Sequence, residues 1–154
     1  GLIKQLGIEN KVAVLGSVWD ELPDIYAMTD IYCTPSIMEG FGMTSQEAAA
    51  TSVPVIASDL VPFAVEYLLG DHTEEMIYED GVKTIKRGEG AMVVPADDIN
   101  GFAVALDYLL SNPEMRKQMG KKAYQITIPY FTWKNVVTRF LAGVAEIEAI
   151  EVGK

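Results

Sequence analysis

The strongest constraint in this sequence is its rhythm: short, wholly apolar runs alternate with segments of helical character. Val12-Ala13-Val14-Leu15 ends at Gly16 and reads as a buried strand. Asp20–Met28 follows as a helix, with Leu22, Ile25 and Met28 on its apolar face and Pro23 in its first turn. Ile31–Thr34 reads as a second strand stopped by Pro35-Ser36, Gly42–Thr51 as an Ala-rich helix, and Pro54–Ala57 as a third strand. Pro62–Leu69 is a short helix and Ala91–Val94 a fourth strand. Asp97 or Asp98 caps a helix to Leu110, Asn112-Pro113 opens another, and Thr132-Trp133 opens a last one through about Glu148. Strands without polar alternation, separated by helices, predict an α/β, Rossmann-like parallel sheet with helices on both faces. In such sheets ligands bind beyond the carboxyl ends of the strands. That directs attention to the loops after residues 15, 34, 57 and 94.

Residues 70–90 interrupt the rhythm with Asp71, Glu74, Glu75, Glu79, Asp80 and Glu89 beside Lys83, Lys86 and Arg87. An irregular insertion with a short strand over Val82–Ile85 is expected there. The chain is read as one domain, 1–154. Its opening Gly-Leu-Ile-Lys-Gln-Leu has the character of a helix entered partway, as in a piece of a longer protein.

Several classes of function drop out early. A net charge of −10 opposes nucleic-acid binding, and the densest basic cluster is only Lys83-Thr84-Ile85-Lys86-Arg87. No apolar run approaches the ~20 residues that span a bilayer. Cys33 is the sole cysteine, placed by its apolar neighbours in the core as a small residue, which fits a reducing cytoplasm. His72 is the sole histidine and sits in a polar stretch, so neither a zinc site nor a Ser/His/Asp arrangement is expected.

The chemistry concentrates in Pro35-Ser36-Ile37-Met38-Glu39-Gly40-Phe41-Gly42-Met43-Thr44-Ser45-Gln46-Glu47, between a strand and a helix. Gly40 and Gly42 allow close backbone approach to a ligand. The N–H groups at Gly42, Met43 and Thr44, with the helix dipole, suit a diphosphate, and the Thr44 and Ser45 hydroxyls could add to them. Glu47, one turn on, leans back toward the same crevice. Its carboxylate only accepts hydrogen bonds, which matches the paired hydroxyls of a ribose and not a phosphate. Glu39 could accept from sugar hydroxyls in the same way. The bland alternatives are a helix start stabilised by Glu47 and a tight turn at Gly40 and Gly42. Spacing alone does not decide: Glu66 and Glu74 are also eight apart, with no function assigned.

Taken with its context, the stretch resembles the E-x7-E signature of retaining glycosyltransferases of the GT-B architecture, which have two Rossmann-like domains. Val14-Leu15-Gly16, Leu22–Tyr26, Asp30–Ser36, Glu39–Gly42, Glu47-Ala48, Val53–Asp59, Val93–Asp98, Leu109-Leu110, Pro113, Met119-Gly120 and Phe131–Trp133 carry the resemblance in order. It implies the C-terminal, donor-binding half of such a fold, without its first two strands. It further implies Glu47 on the donor ribose, Glu39 as the candidate catalytic residue at the donor sugar, and the backbone of Gly40, Phe41 and Gly42 beside it. Met43 and Thr44 would hold the diphosphate, and Gly16, Ser17 and Val18 would lie against the base. The partner is then a nucleoside-diphosphate sugar, used as a substrate, with neither cofactor nor metal. The acceptor would come through an absent N-terminal domain. The location would be cytoplasmic, or peripheral to a membrane in a longer enzyme.

Two departures matter. The Arg- and Lys-bearing opening strand of the family's donor half has no counterpart, so weak donor binding and no turnover are expected of this chain alone. After Asp59 the family's Gly-Gly turn is replaced by Leu60-Val61-Pro62-Phe63-Ala64-Val65-Glu66; this leaves sugar and acceptor open, with sucrose-phosphate or mannosylfructose-phosphate synthase-like members as a suggestion. Without the missing strands, Val12–Leu15 must pair with Ile31–Thr34 or leave open sheet edges, where homodimers can form. The other function classes to weigh are a non-catalytic nucleotide- or sugar-binding module, and a flavodoxin-like signalling domain whose acidic cluster finds no place here.

Overall fold

A computed structural model describes residues 1–79, 81 and 83–152, with 148–152 by backbone alone. After a short helix α1 (Leu2–Gln5) come α2 (Leu22–Met28), β1 (Tyr32–Thr34), α3 (Met43–Ala50) and β2 (Val55–Ser58). A π-helical turn (Ala64–Leu68) leads to β3 (Glu74–Tyr78), β4 (Lys83–Arg87) and β5 (Ala91–Val94). Helices α4 (Ile99–Ser111), α5 (Pro113–Phe131) and α6 (Trp133–Val152) close the chain. The strands form one sheet in the order β1-β2-β5-β4-β3.

The centre of this sheet is as the apolar runs require. β1, β2 and β5 are parallel, with Val55 opposite Tyr32 and Ala91. Every residue of β2 and β5 is buried. Val55, Ala57, Ala91 and Val93 pack on one face against Ala48 and Ala49 of α3, Ala64 and Leu68 of the π turn, and Ala123 of α5. Ile56, Met92 and Val94 pack on the other against Phe102, Ala105 and Leu109 of α4. The predicted helix starts hold: Asp98 accepts the Gly101 N–H at 3.1 Å as the N-cap of α4, and Pro113 sits at the head of α5.

Four expectations need correction. First, Val12–Leu15 is not a strand. It has no regular secondary structure and Val14 is 81% exposed, because no neighbouring strand or helix covers it. It neither pairs with β1 nor forms a sheet edge, so β1 is the edge on that side. Second, the sheet is mixed. The insertion is a hairpin, β3–β4, turned through Glu79 and Gly81 at φ of 50° and 87°, and β4 runs antiparallel to β5. Its cross-strand pairing of Glu74 with Arg87 and its one buried side chain, Ile85, make it a charged edge on an apolar sheet. Asp80 and Val82 of the expected insertion lie outside the described residues. Third, Cys33 is exposed, because the end strand β1 is too short and peripheral to be covered. Fourth, α2 buries Tyr26 and leaves Met28 78% exposed, so its inward face runs through Leu22 and Tyr26.

Candidate active site at the head of helix α3

The loop from β1 to α3 is tied down at several points. Ser58 Oγ, at the end of β2, donates to the Ser36 carbonyl, and Ser36 Oγ donates to the Met38 carbonyl at 2.9 Å. The Phe63 N–H donates to the Phe41 carbonyl at 2.8 Å. The Phe41 ring turns inward, within 5.5–6.2 Å of the ring centres of Phe63, Phe131 and Tyr67. Phe41 therefore anchors the loop by its side chain and leaves only its backbone for a ligand.

Gly42 sets the helix start. Its φ of 101° is in the left-handed region, and an added Cβ would come within 2.7 Å of Val61 Cγ1. Glycine meets both demands at once. It also leaves the N-terminus of α3 without a side-chain cap. Gln46 is the first residue whose N–H reaches a helical acceptor, the Gly42 carbonyl at 3.0 Å. The N–H groups of Met43 and Thr44 precede it, and both residues are exposed. An uncapped helix head with open N–H groups attracts an anion. Ser45 faces the other way: it is fully buried and its Oγ has no hydrogen-bond partner, so its hydroxyl stays out of the open crevice.

Glu47 is half-buried, and its Oε2 accepts from Tyr26 Oη at 3.1 Å. Tyr26 also lies 3.3 Å from the Thr44 carbonyl. Tyr32 Oη donates to Thr44 Oγ1 at 2.7 Å. Burial, reinforced by the Glu47 carboxylate, pushes the Tyr26 phenol well above its ordinary value, so it stays a proton donor. A cleft between α3 and α5, lined by Glu47, Ala50, Thr127 and Phe131, opens beside this group.

The structure thus gathers Gly42, Met43, Thr44 and Glu47 on one short helix. Glu39 and Gly40 lie in the exposed loop just before it, where Glu39 Oε1 accepts the Gly40 N–H at 3.1 Å. Gly16 and Ser17 are exposed and Val18 half-buried; among the described residues no hydrogen bond joins them to this group. The two tyrosines are the members that sequence reasoning left without a role. The signal for Tyr26 was its four-residue spacing from Leu22, which puts it on the covered face of α2. Among the described residues no three His, Cys, Asp or Glu side chains come together as a metal site would require. No helix among them is long and apolar enough to cross a membrane.

The family model for glycosyl transferases group 1 matches residues 1–126. Mannosylfructose-phosphate synthase of Agrobacterium fabrum is 47% identical over 141 residues, which cover 91% of this chain and 27% of that protein. MMP alpha-(1->4)-mannosyltransferase of Mycolicibacterium hassiacum is 27% identical over 142 residues, covering 92% and 30%. The chain therefore spans less than a third of these relatives. Among solved structures, sucrose-phosphate synthase from Thermosynechococcus elongatus superposes with a TM-score of 0.73 at 21% identity, over 97% of this chain and 33% of that one. Anabaena HepE in complex with UDP gives 0.74 at 20%, over 94% and 35%. Matching family model, ordered motifs and sheet agree: the fold is that of one domain of a GT-B glycosyltransferase, and this chain belongs to the glycosyl transferases group 1 family.

Proposed function

We propose that this chain is the donor-binding part of a retaining glycosyltransferase, and that the head of α3 holds a nucleoside-diphosphate sugar. The observation that carries the proposal is the juxtaposition, on one turn of helix, of uncapped N–H groups and a carboxylate fixed by a buried tyrosine. The two chemistries match the two parts of the ligand. N–H donors and the helix dipole suit the diphosphate. The free oxygen of Glu47 accepts from ribose hydroxyls.

In this reading Glu39 and the backbone of Gly40–Gly42 face the donor sugar, and Gly16–Val18 lie near the base. As the bond from the sugar C1 to the diphosphate oxygen breaks, negative charge grows on the leaving group. The α3 N-terminus is already oriented to receive it, which is the usual source of such rate enhancement. The acceptor is assigned to the part of the longer relatives that this chain does not span. The chain alone is expected to bind donors weakly and turn none over. Similarity to a UDP-bound neighbour is consistent with a nucleotide site and leaves the base open.

Ligand-observed saturation-transfer NMR against UDP-, GDP- and ADP-sugars tests the proposal. One nucleotide should be preferred, and Glu47→Ala should abolish that preference. Binding unchanged in Glu47→Ala would overturn the assignment of the crevice.

A further inference from the structure

Tyr26 is the one buried residue of α2, and its hydroxyl is spent on α3. A buried phenol finds a partner for its O–H, and the partner chosen says what the oxygen orders. Here it reaches Glu47 Oε2 at 3.1 Å and the Thr44 carbonyl at 3.3 Å, one turn apart on the same helix. Glu47 receives no other side-chain donor among the described residues, and it enters no ion pair there. Tyr26 alone thus sets which way that carboxylate points. Tyr32, whose ring centre lies 6.1 Å from that of Tyr26, does the same for Thr44: by donating to Oγ1 it leaves the Thr44 hydroxyl hydrogen free to turn outward.

From this geometry we infer that Tyr26 is a positioning residue for nucleotide recognition: it holds one oxygen of Glu47 so that the other is presented, rotamer-locked, to a vicinal diol. The inference rests on the proposed function of the crevice and adds a specificity device to it. The hydrogen bond does not change what Glu47 can bind; it removes the cost of ordering a long carboxylate at the moment of binding. Its effect must therefore be confined to ligands that carry the diol. The diphosphate, held by backbone N–H groups, is indifferent to it.

The test uses the native protein, with UDP, GDP and ADP as probes and their 2′,3′-dideoxy counterparts as controls, read by calorimetry or by NMR competition. The wild type should prefer the ribose form of its best nucleotide. Tyr26→Phe keeps the buried ring and removes only the oxygen. It should weaken the ribose form by up to about tenfold, the scale of ordering one long side chain on binding, and leave the dideoxy form unchanged. Glu47→Ala should erase the preference altogether. Equal weakening of ribose and dideoxy forms in Tyr26→Phe would show that Tyr26 only supports the helix turn, and would overturn the inference. So would unchanged binding in Tyr26→Phe while Glu47→Ala loses the preference; in that case the proposed function stands without it. A wild type with no preference for the diol would remove the proposed role of Glu47 itself, and the inference with it. Near-ultraviolet circular dichroism of Tyr26→Phe checks that the fold is retained, and Tyr32→Phe, which does not touch Glu47, should keep the ribose preference intact.

Discussion

Val12-Ala13-Val14-Leu15 and Ala91-Met92-Val93-Val94 are equal in length and nearly equal in apolar character, yet they meet opposite fates. Every residue of the second is at most 3% exposed, between β2 and β4, with helices on both faces. In the first, Val12 is 40%, Val14 81% and Leu15 64% exposed, and no strand forms. The difference lies in neighbours rather than in composition. A strand exists by pairing, and an apolar strand gains its burial free energy only where two sheet faces are already covered. β5 has β2, β4, α4 and α5 around it. The stretch at 12–15 adjoins nothing comparable.

Core truncation should expose the contrast most sharply. Ile56→Ala empties a fully buried site beside Met92 and should cost about 2–5 kcal/mol in denaturant unfolding. A cost near zero would mean that the β2–β5 centre is no better packed than the N-terminal stretch. Gly42→Ala comes next. The new Cβ meets both the left-handed φ and Val61, for a stability loss of about 1–3 kcal/mol, and the proposed donor site should lose its anion affinity by the same displacement.

A third measurement concerns the hairpin, which the sheet gains where the N-terminal stretch gains nothing. Asp98 accepts from Tyr78, Lys83 and the Gly101 N–H, and these contacts, the Tyr78 hydrogen bond foremost, hold its carboxyl below the usual carboxylate range. A depressed folded-state value means stability that is fully present above the unfolded value of about 4 and lost as pH falls below it. Acid unfolding should therefore begin at higher pH in wild type than in Asp98→Asn once each is normalised to its own neutral-pH stability. Identical normalised profiles would separate the hairpin from Asp98. The smallest effect is expected at the N-terminal stretch: Val14→Ala should change stability by less than about 0.5 kcal/mol, and the amides of 12–15 should exchange freely while those of β2 and β5 are protected. A large effect of Val14→Ala would restore this stretch to the core.

The candidate site was legible for a local reason. Gly42, Met43, Thr44 and Glu47 are joined by one loop and one helix, so their juxtaposition follows from helical geometry and needs no tertiary information. Tyr26 was not legible in the same way. It lies 21 residues from Glu47 and meets it only because the fold brings the Tyr26 side chain of α2 against Tyr32 of β1 and the first turn of α3. The aromatic group of Phe41, Phe63, Tyr67 and Phe131 is likewise assembled from three separate segments: the loop before α3, the π turn and the end of α5. Of the hairpin at 74–87 only one short strand was legible, because its partner strand and its place beside β5 depend on pairing across the sheet.

The sequence by itself determined the class of fold, the starts of α4 and α5 and the glycine-led turn into α3. Each rests on interactions within a few residues: apolar continuity, capping, proline at a helix head, positive φ. Only the tertiary structure decided which apolar run would be a strand, which face of α2 would be buried, how the insertion would extend the sheet, and what would hold Glu47 in place. Those outcomes depend on which surfaces meet, and a surface gains its free energy from its partner, which no local stretch of residues contains.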